Sequence, residues 1–412
     1  MVLKLFGSKK NSVPKAPVDI VETTPKDLSN GISGIGWKLL DDDKEKRFFM
    51  SPYSIASVLG ILANGAENGS VTQKEVLDVL SCKDTRQLNS EYLGLARELE
   101  EVCGERAVVK SASLMIVDKT LVGAGAKVDR KLGSMLKSVY NGTVEEADFR
   151  NSLEKVKKRI NKWVSDSTDG FIEDFESAAD ENTAVDVLNA VYFKAAWESV
   201  FDRDDTEEED FTDENGNTVK IPLMHRSFNF GTTYYDDGRY SGLCLRYRCS
   251  GNLSMCIVVP SDHGTDVRRR WCSESVEYRN KFIGTLQHNH VDNRTNVYFP
   301  RFAMGLEYYL MDALKRLGVV RALTGLTEVT QLLNGIPLKV DAFRHQAKIE
   351  VDEEGTVAAA VTEMIMTCGC ALGKPLPEIT FRCDIPFVFT ISGCESAVPL
   401  FVGYFGGPEE RS

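Results

Sequence analysis

A chain of 412 residues, 42% hydrophobic and 27% charged, holds enough apolar mass for a sizeable core without metal or disulfide support. Its 61 acidic side chains against 49 basic ones, net −12, disfavour a phosphate-backbone partner, whose affinity is assembled from lysine and arginine. No run of about 18 apolar residues suggests a membrane-spanning helix, and 10 cysteines are too sparse for a disulfide scaffold. Residues 1–23, rich in Lys, Ser and Pro, read as a flexible extension. They lack the roughly 7–15-residue apolar stretch of a secretory signal. The expected compartment is cytoplasmic, or extracellular by a route without a cleavable signal peptide.

The body is expected to span 24–412 as one domain. Thr24 is a good N-cap with Pro25 at the first helical position, and Leu28, Ile32, Ile35 and Leu39 follow at helical spacing. A capping box Thr72…Glu75 opens a second helix, and a third follows Asn151 with Leu153, Val156, Ile160 and Trp163 on one face. Alternation from Leu243 to Cys249 predicts a half-buried strand, while Arg268-Arg269-Arg270 beside Trp271 reads as a solvated turn. Leu306, Leu310, Leu314 and Leu317 predict a fourth helix, ended by Gly318. Ala347, Ile349 and Val351 alternate with Lys348, Glu350 and Asp352 as a strand. Apolar runs at Met255–Val259, Phe387–Ile391 and Leu400–Tyr404 suit buried strands. Helices crowd the first third and strands the last, so the fold class is α+β rather than alternating βαβ.

No nucleophile elbow, P-loop or HExxH motif is present, so no catalytic residue, cofactor or metal site is expected. His288-x-His290 lies in a polar stretch without spaced co-ligands, and Cys368-Gly369-Cys370 lacks redox spacing. All the cysteines are expected as reduced thiols. The segment after Asp352 is more informative. A strand ends in three acids and Gly355, and residues with small or uncharged side chains come next. Read with period two, one face is Thr356, Ala358, Ala360, Thr362, Met364 and Met366, which carries no charge. The other face holds Val357, Ala359, Val361 and Glu363. Such a stretch suits insertion into a sheet. Beyond it lies a flexible run, Thr367 to Pro377, with two glycines and two prolines, so the insertable segment is attached to an exposed loop.

From about residue 25 onward the chain resembles the serpin family, the serine protease inhibitors. The stretches that carry the resemblance are Phe48-Phe49-Met50-Ser51-Pro52-Tyr53-Ser54-Ile55-Ala56, Asn189-Ala190-Val191-Tyr192-Phe193-Lys194-Ala195-Ala196-Trp197 and Val297-Tyr298-Phe299-Pro300-Arg301-Phe302. His345 through Thr356, Pro386-Phe387-Val388-Phe389 and Phe401-Val402-Gly403-Tyr404-Phe405 complete the set in the family's order. The loop flanks are similar to the intracellular, ovalbumin-like type.

The resemblance implies three β-sheets, eight or nine helices and an exposed reactive-centre loop at about 353–380. It implies a suicide substrate whose cut loop enters the central sheet and traps the acyl-enzyme. The alternative is a non-inhibitory member acting as chaperone or ligand carrier. Such members tend to carry charged, bulky or proline residues in the hinge, and this chain does not.

Carried over by motif, Glu353, Glu354, Gly355 and Thr356 with Ala358, Ala359 and Ala360 form the hinge. Ser51, Ser54, Asn189 and His345 fall on the shutter, and Trp197 on the breach. The distal loop departs from the pattern by a few extra positions. Counting from the hinge gives a scissile bond at Gly369–Cys370, and counting from Phe381 and Pro386 gives Gly373–Lys374. Leu372–Gly373 would suit a chymotrypsin-like protease, whereas Pro375 makes Lys374 a poor trypsin site. The expected partner is a serine protease, elastase-like or chymotrypsin-like, or a cysteine protease, engaged by a monomer with no nucleic acid or membrane partner.

Overall fold

The computed structural model describes residues 26–120, 129–173, 175, 177, 179–228, 232–289, 294–324, 328–333, 335, 337–356, 377–393 and 398–408. Among them, nine α-helices and three sheets form an α+β architecture. The large sheet runs Phe302–Tyr309, Ala342–Val351, Gly355–Thr356, Val185–Ala196, Ala107–Asp118 and Gly142–Ala147 in spatial order. A second, antiparallel six-stranded sheet runs Arg47–Met50, Val398–Phe405, Phe387–Gly393, Leu253–Pro260, Tyr240–Arg246 and Thr232–Asp236. Glu378–Arg382, Arg294–Pro300, Thr218–Phe228 and Glu207–Thr212 make the third.

The large sheet separates two cores. On one side lies the main core, with the second sheet and the helix Pro52–Gly65. That helix is apolar nearly all round, as a fully buried helix must be, with Pro52 in its first turn and Ser51 as its N-cap. On the other side, Val156, Ile160 and Val164 of the helix Phe149–Ser167 cover Leu114, Ile116, Leu188 and Ala190 of the sheet. At the centre, Ala342–Ala347 pairs in parallel with Asp186–Val191, and His345 stands opposite Asn189. These two strands meet directly, without a strand between them, except at one end.

Several expectations are corrected. The helix Val71–Val79 is capped by Ser70, whose hydroxyl accepts from Gln73 N at 3.2 Å, rather than by a Thr72…Glu75 box. Thr72 donates instead to Glu328, and Gln73 Oε1 accepts from Gly69 N, so a neighbouring polar pair outcompeted the expected one. The third helix starts earlier, at Phe149 behind an Asp148 cap. Leu306 lies in the strand Phe302–Tyr309, and the helix is only Met311–Leu317, ended by Gly318 at φ 109°. The leucine spacing there coincided with a period-two pattern that pairing to Ala342–Val351 selects.

Arg268, Arg269 and Arg270 belong to a helix, Val267–Ser273, because Val267 and Trp271, one turn apart, both anchor in the core. Asp43, Asp266 and Asp262 pair with these arginines. The strand expected to reach Cys249 stops at Arg246. Cys244 and Cys256, opposite each other on adjacent strands, form a disulfide, which corrects the all-thiol expectation. Strand register brought them together, which their spacing does not reveal. Thr24 and Pro25 lie outside the described residues, as do Cys368 and His290.

Candidate functional site: shutter and hinge

The seam between the central strands is tied by polar side chains. His345 is fully buried, and burial pushes its imidazole down to about 3, so the ring is neutral. Its Nε2 accepts from Ser51 N at 3.0 Å, which leaves Nδ1–H to donate to Asn189 Oδ1 at 2.8 Å. Asn189 Oδ1 also accepts from Ser54 Oγ, while its amide donates to Ser54 O and Ser113 Oγ, both at 3.2 Å. Ser54 Oγ meets Ser111 Oγ at 2.9 Å and Ser57 Oγ meets Ser113 Oγ at 2.7 Å.

The four residues singled out in the sequence therefore converge on one buried network. Ser57, Ser111 and Ser113 were missed. A signal for them existed: Ser51, Ser54 and Ser57 recur every three residues on an otherwise apolar helix, and Ser111 and Ser113 alternate on a strand. The network joins the helix Pro52–Gly65 to three adjacent strands, beside the buried Phe343 and Val187, which stand opposite each other across the seam.

At the end of the seam Gly355 and Thr356 of the candidate hinge already form a short strand. Gly355 and Thr356 lie between the central strands, opposite Ala196 and Ala195 on one side, with Thr356 opposite Val351 on the other. A Cβ on Gly355 would stand 2.3 Å from Ala195 O, so only glycine lets the backbone approach. Thr356 is fully buried, and its hydroxyl meets Tyr247 OH at 2.7 Å. Trp197 stacks on Tyr247 with centroids 4.6 Å apart. Its indole donates to Asp352 O at 2.9 Å, and its backbone N–H donates to Glu354 O at 2.9 Å.

The turn before the hinge is equally tied. Asp352 Oδ1 accepts from Glu354 N and Gly355 N. Burial, and then the neighbouring Glu354 and Glu353, raise the Asp352 carboxyl above its ordinary range. Glu353 is only 3% exposed and accepts from Thr206 Oγ1 at 2.8 Å, with Arg301 at 3.5 Å. Arg203 pairs with Glu354 at 2.8 Å. Arg203, Thr206, Arg301 and Glu353 line a cleft of about 360 Å³.

Tyr247 and Thr206 were not legible as site residues. Tyr247 looked like one more member of an alternating strand. Ala358, Ala359 and Ala360, and the candidate bond residues Gly369, Cys370, Leu372, Gly373 and Lys374, lie outside the described residues. His288 ends the helix Val276–His288, its Nδ1 at 2.8 Å from Gly284 O. Among the described residues no three His, Cys, Asp or Glu side chains come together to hold a metal, and no helix is long and apolar enough to cross a membrane.

Comparisons with known proteins agree with this geometry. A family model described as Serpin (serine protease inhibitor) matches residues 36–408. The chain is 29% identical over 367 residues to the leukocyte elastase inhibitor of Sus scrofa, covering 87% of this chain and 93% of that one. It is 28% identical to Serpin B3 of Homo sapiens, over 89% and 94% of the two chains. Among solved structures, native tengpin, a thermophilic serpin, superposes with a TM-score of 0.81 at 21% identity over 96% and 97% of the two chains. Thyroxine-binding globulin in complex with thyroxine superposes at 0.77 and 22%, over 93% and 99%.

Proposed function

Because this chain belongs to the serpin family of serine protease inhibitors, we propose that it is an irreversible suicide-substrate inhibitor of endopeptidases. The target protease attacks the exposed loop and forms an acyl-enzyme. The cut loop then enters the large sheet between its central strands, carrying the protease with it before the ester hydrolyses.

The observation that carries this reading is the pairing of Gly355 and Thr356 with both central strands. That pairing supports strand addition, and the sheet beyond it is a seam whose middle carries the buried polar network around His345 and Asn189. The uncharged face continuing from Thr356 would meet the main core, where Thr356 itself points. About a dozen newly paired backbone groups at roughly 0.5–1.5 kcal/mol each give on the order of 10 kcal/mol. Ordering the loop offsets part of that. The remainder still rivals the stability of a whole domain.

The proposed scissile bond is Gly369–Cys370, since insertion length is counted from the hinge. It points to an elastase-like protease or a cysteine protease. Incubation with a panel of serine and cysteine proteases, followed by denaturing gels, tests the reading. A covalent complex is expected, and sequencing the released peptide fixes the bond. Clean loop cleavage across the panel with no complex, and no rise in Tm afterwards, would refute the trap and favour a carrier or chaperone role.

A further inference from the structure

Behind the hinge, two free thiols meet where the end of a helix touches a turn between strands. The turn joins Tyr240–Arg246 to Leu253–Pro260 and is closed by Tyr247 N, which donates to Leu253 O at 2.9 Å. Against it rests the end of the helix Thr85–Cys103, where Gly104 turns the chain at φ 57°. Ser250 N donates to Val102 O at 2.9 Å. A Cβ on Gly104 would stand 2.4 Å from Ser250 Oγ, and one on Gly251 would stand 2.9 Å from Val102 Cγ2. Backbones joined this way run about 5 Å apart, which is within the Cα spacing a disulfide needs.

Each of the two segments carries one free cysteine, Cys103 and Cys249. Cys103 is 5% exposed, within the main core. Burial, and then the neighbouring Cys249, push its thiol up to about 12. Cys249 is only half-buried, and its Sγ donates to Gly251 O at 2.9 Å. Burial raises its thiol as well, while the Arg246 guanidinium opposes that shift. Cys249 alone has an outlet. With Arg106, Arg246, Arg248 and Glu198 it lines a cavity of about 270 Å³. Three guanidinium groups against one carboxylate, in a chain of net charge −12, suit a small ligand that is anionic overall and carries an ammonium group.

We propose that Cys249 and Cys103 form a thiol–disulfide exchange site for a small anionic disulfide such as oxidised glutathione, with Cys249 as the entry thiol and Cys103 as the resolving one. The Cys249 thiolate attacks one sulfur of the reagent, whose S–S bond breaks, and the departing glutathione thiolate takes the proton that Cys249 gave up. Cys103 then loses its proton and attacks the Cys249 sulfur, which releases the second glutathione as a thiol. Two protein thiols are oxidised and one small disulfide is reduced to two thiols, with no other reactant. The Cys103–Cys249 bond ties the end of the helix Thr85–Cys103 to the turn that begins at Tyr247. It thereby fixes the residue whose hydroxyl meets Thr356 and whose ring stacks on Trp197. Because both thiols sit above the ordinary range, exchange is slow at neutral pH and quickens about tenfold per pH unit as thiolate forms.

The experiment treats the full-length protein, its free thiols reduced beforehand, with excess oxidised glutathione at pH 8.5. The reaction is quenched by alkylation, and the cysteines are mapped peptide by peptide by mass spectrometry. Wild type is expected to end with a Cys103–Cys249 bond and no glutathione on either residue. Its Tm should rise by about 5 °C, a rise absent from Cys103→Ser. Cys103→Ser should hold one glutathione on Cys249, whereas Cys249→Ser should keep Cys103 as a free thiol. Arg106→Gln should slow the glutathione reaction about threefold at low ionic strength and leave the reaction with uncharged 2-hydroxyethyl disulfide unchanged. Equal rates for both reagents in wild type and Arg106→Gln would overturn the anionic recognition. Glutathione persisting on wild-type Cys249 without the cross-link, or entering at Cys103 in Cys249→Ser, would overturn the exchange pair. If either cysteine variant does not fold, the wild-type map still decides.

Discussion

Thr356→Arg addresses the hinge at its tightest point. Thr356 is fully buried between two strands, and its hydroxyl contributes a bond to Tyr247 worth about 0.5–1.5 kcal/mol. An arginine there must either bury an unpaired charge beside the Trp197–Tyr247 stack or leave the sheet, so a penalty of at least about 3 kcal/mol falls on the first step of insertion. If that penalty appears in the insertion barrier, insertion slows by about 100-fold, while hydrolysis of the acyl-enzyme is untouched. The partition then shifts from trapping to turnover. With a protease that wild type inhibits, the stoichiometry of inhibition and the yield of covalent complex on a denaturing gel read this partition directly. Thr356→Ser, which keeps the hydroxyl, is the control and should retain the complex. A Thr356→Arg protein forming complex at wild-type yield would refute the assignment of this residue as the leading edge of the inserting strand.

Acid should loosen the shutter. His345 is neutral in the fold with its pKa pushed down to about 3, whereas the unfolded chain protonates near 6.5, so protons favour unfolding below that value. Stability is expected to fall by about 2 kcal/mol between pH 6.5 and 5 from this residue alone, and denaturant titrations of wild type against His345→Gln should isolate that slope. Asn189→Ala strips His345 Nδ1 and Ser54 Oγ of their acceptor in a dry site, so it should cost about 3 kcal/mol by urea unfolding. A cost below about 1 kcal/mol would mean the seam is held elsewhere. Tyr247→Phe leaves the Thr356 hydroxyl unpaired at a cost of about 1 kcal/mol, and Trp197 emission should shift as the stack relaxes. An unchanged spectrum and Tm would separate Tyr247 from the hinge.

What the sequence disclosed and what it withheld divide along a physical line. Gly318 read as a helix end because a glycine C-cap is local chemistry, and the strand through Ala347, Ile349 and Val351 read from alternation because one face is dry. His345 is satisfied by Asn189 and Ser51, which lie far away in sequence, and only the family resemblance joined them beforehand. Tyr247 stayed hidden because its role depends on a hydroxyl contact with a residue 109 positions later. The Cys244–Cys256 pairing and the strand at Leu306 were invisible for the same reason: register is a tertiary quantity, and sequence spacing does not encode it.

The order of the second sheet bears on how the molecule is made. Arg47–Met50 and Val398–Phe405 are neighbours in the sheet though remote in sequence, and among the described residues Arg47–Met50 pairs with no other strand. Val398–Phe405 in turn completes the surface against which Phe387–Gly393 packs. The main core therefore cannot close until Val398–Phe405 has been made, so nascent chains short of it must wait with apolar strands unpaired. Truncation by a handful of residues before Phe405 should then be far more damaging in cells than any single surface change, through degradation and aggregation of chains that never shut. A sheet proposed to take in one more strand thus stands beside a core whose closing waits on a strand remote from its partner in sequence.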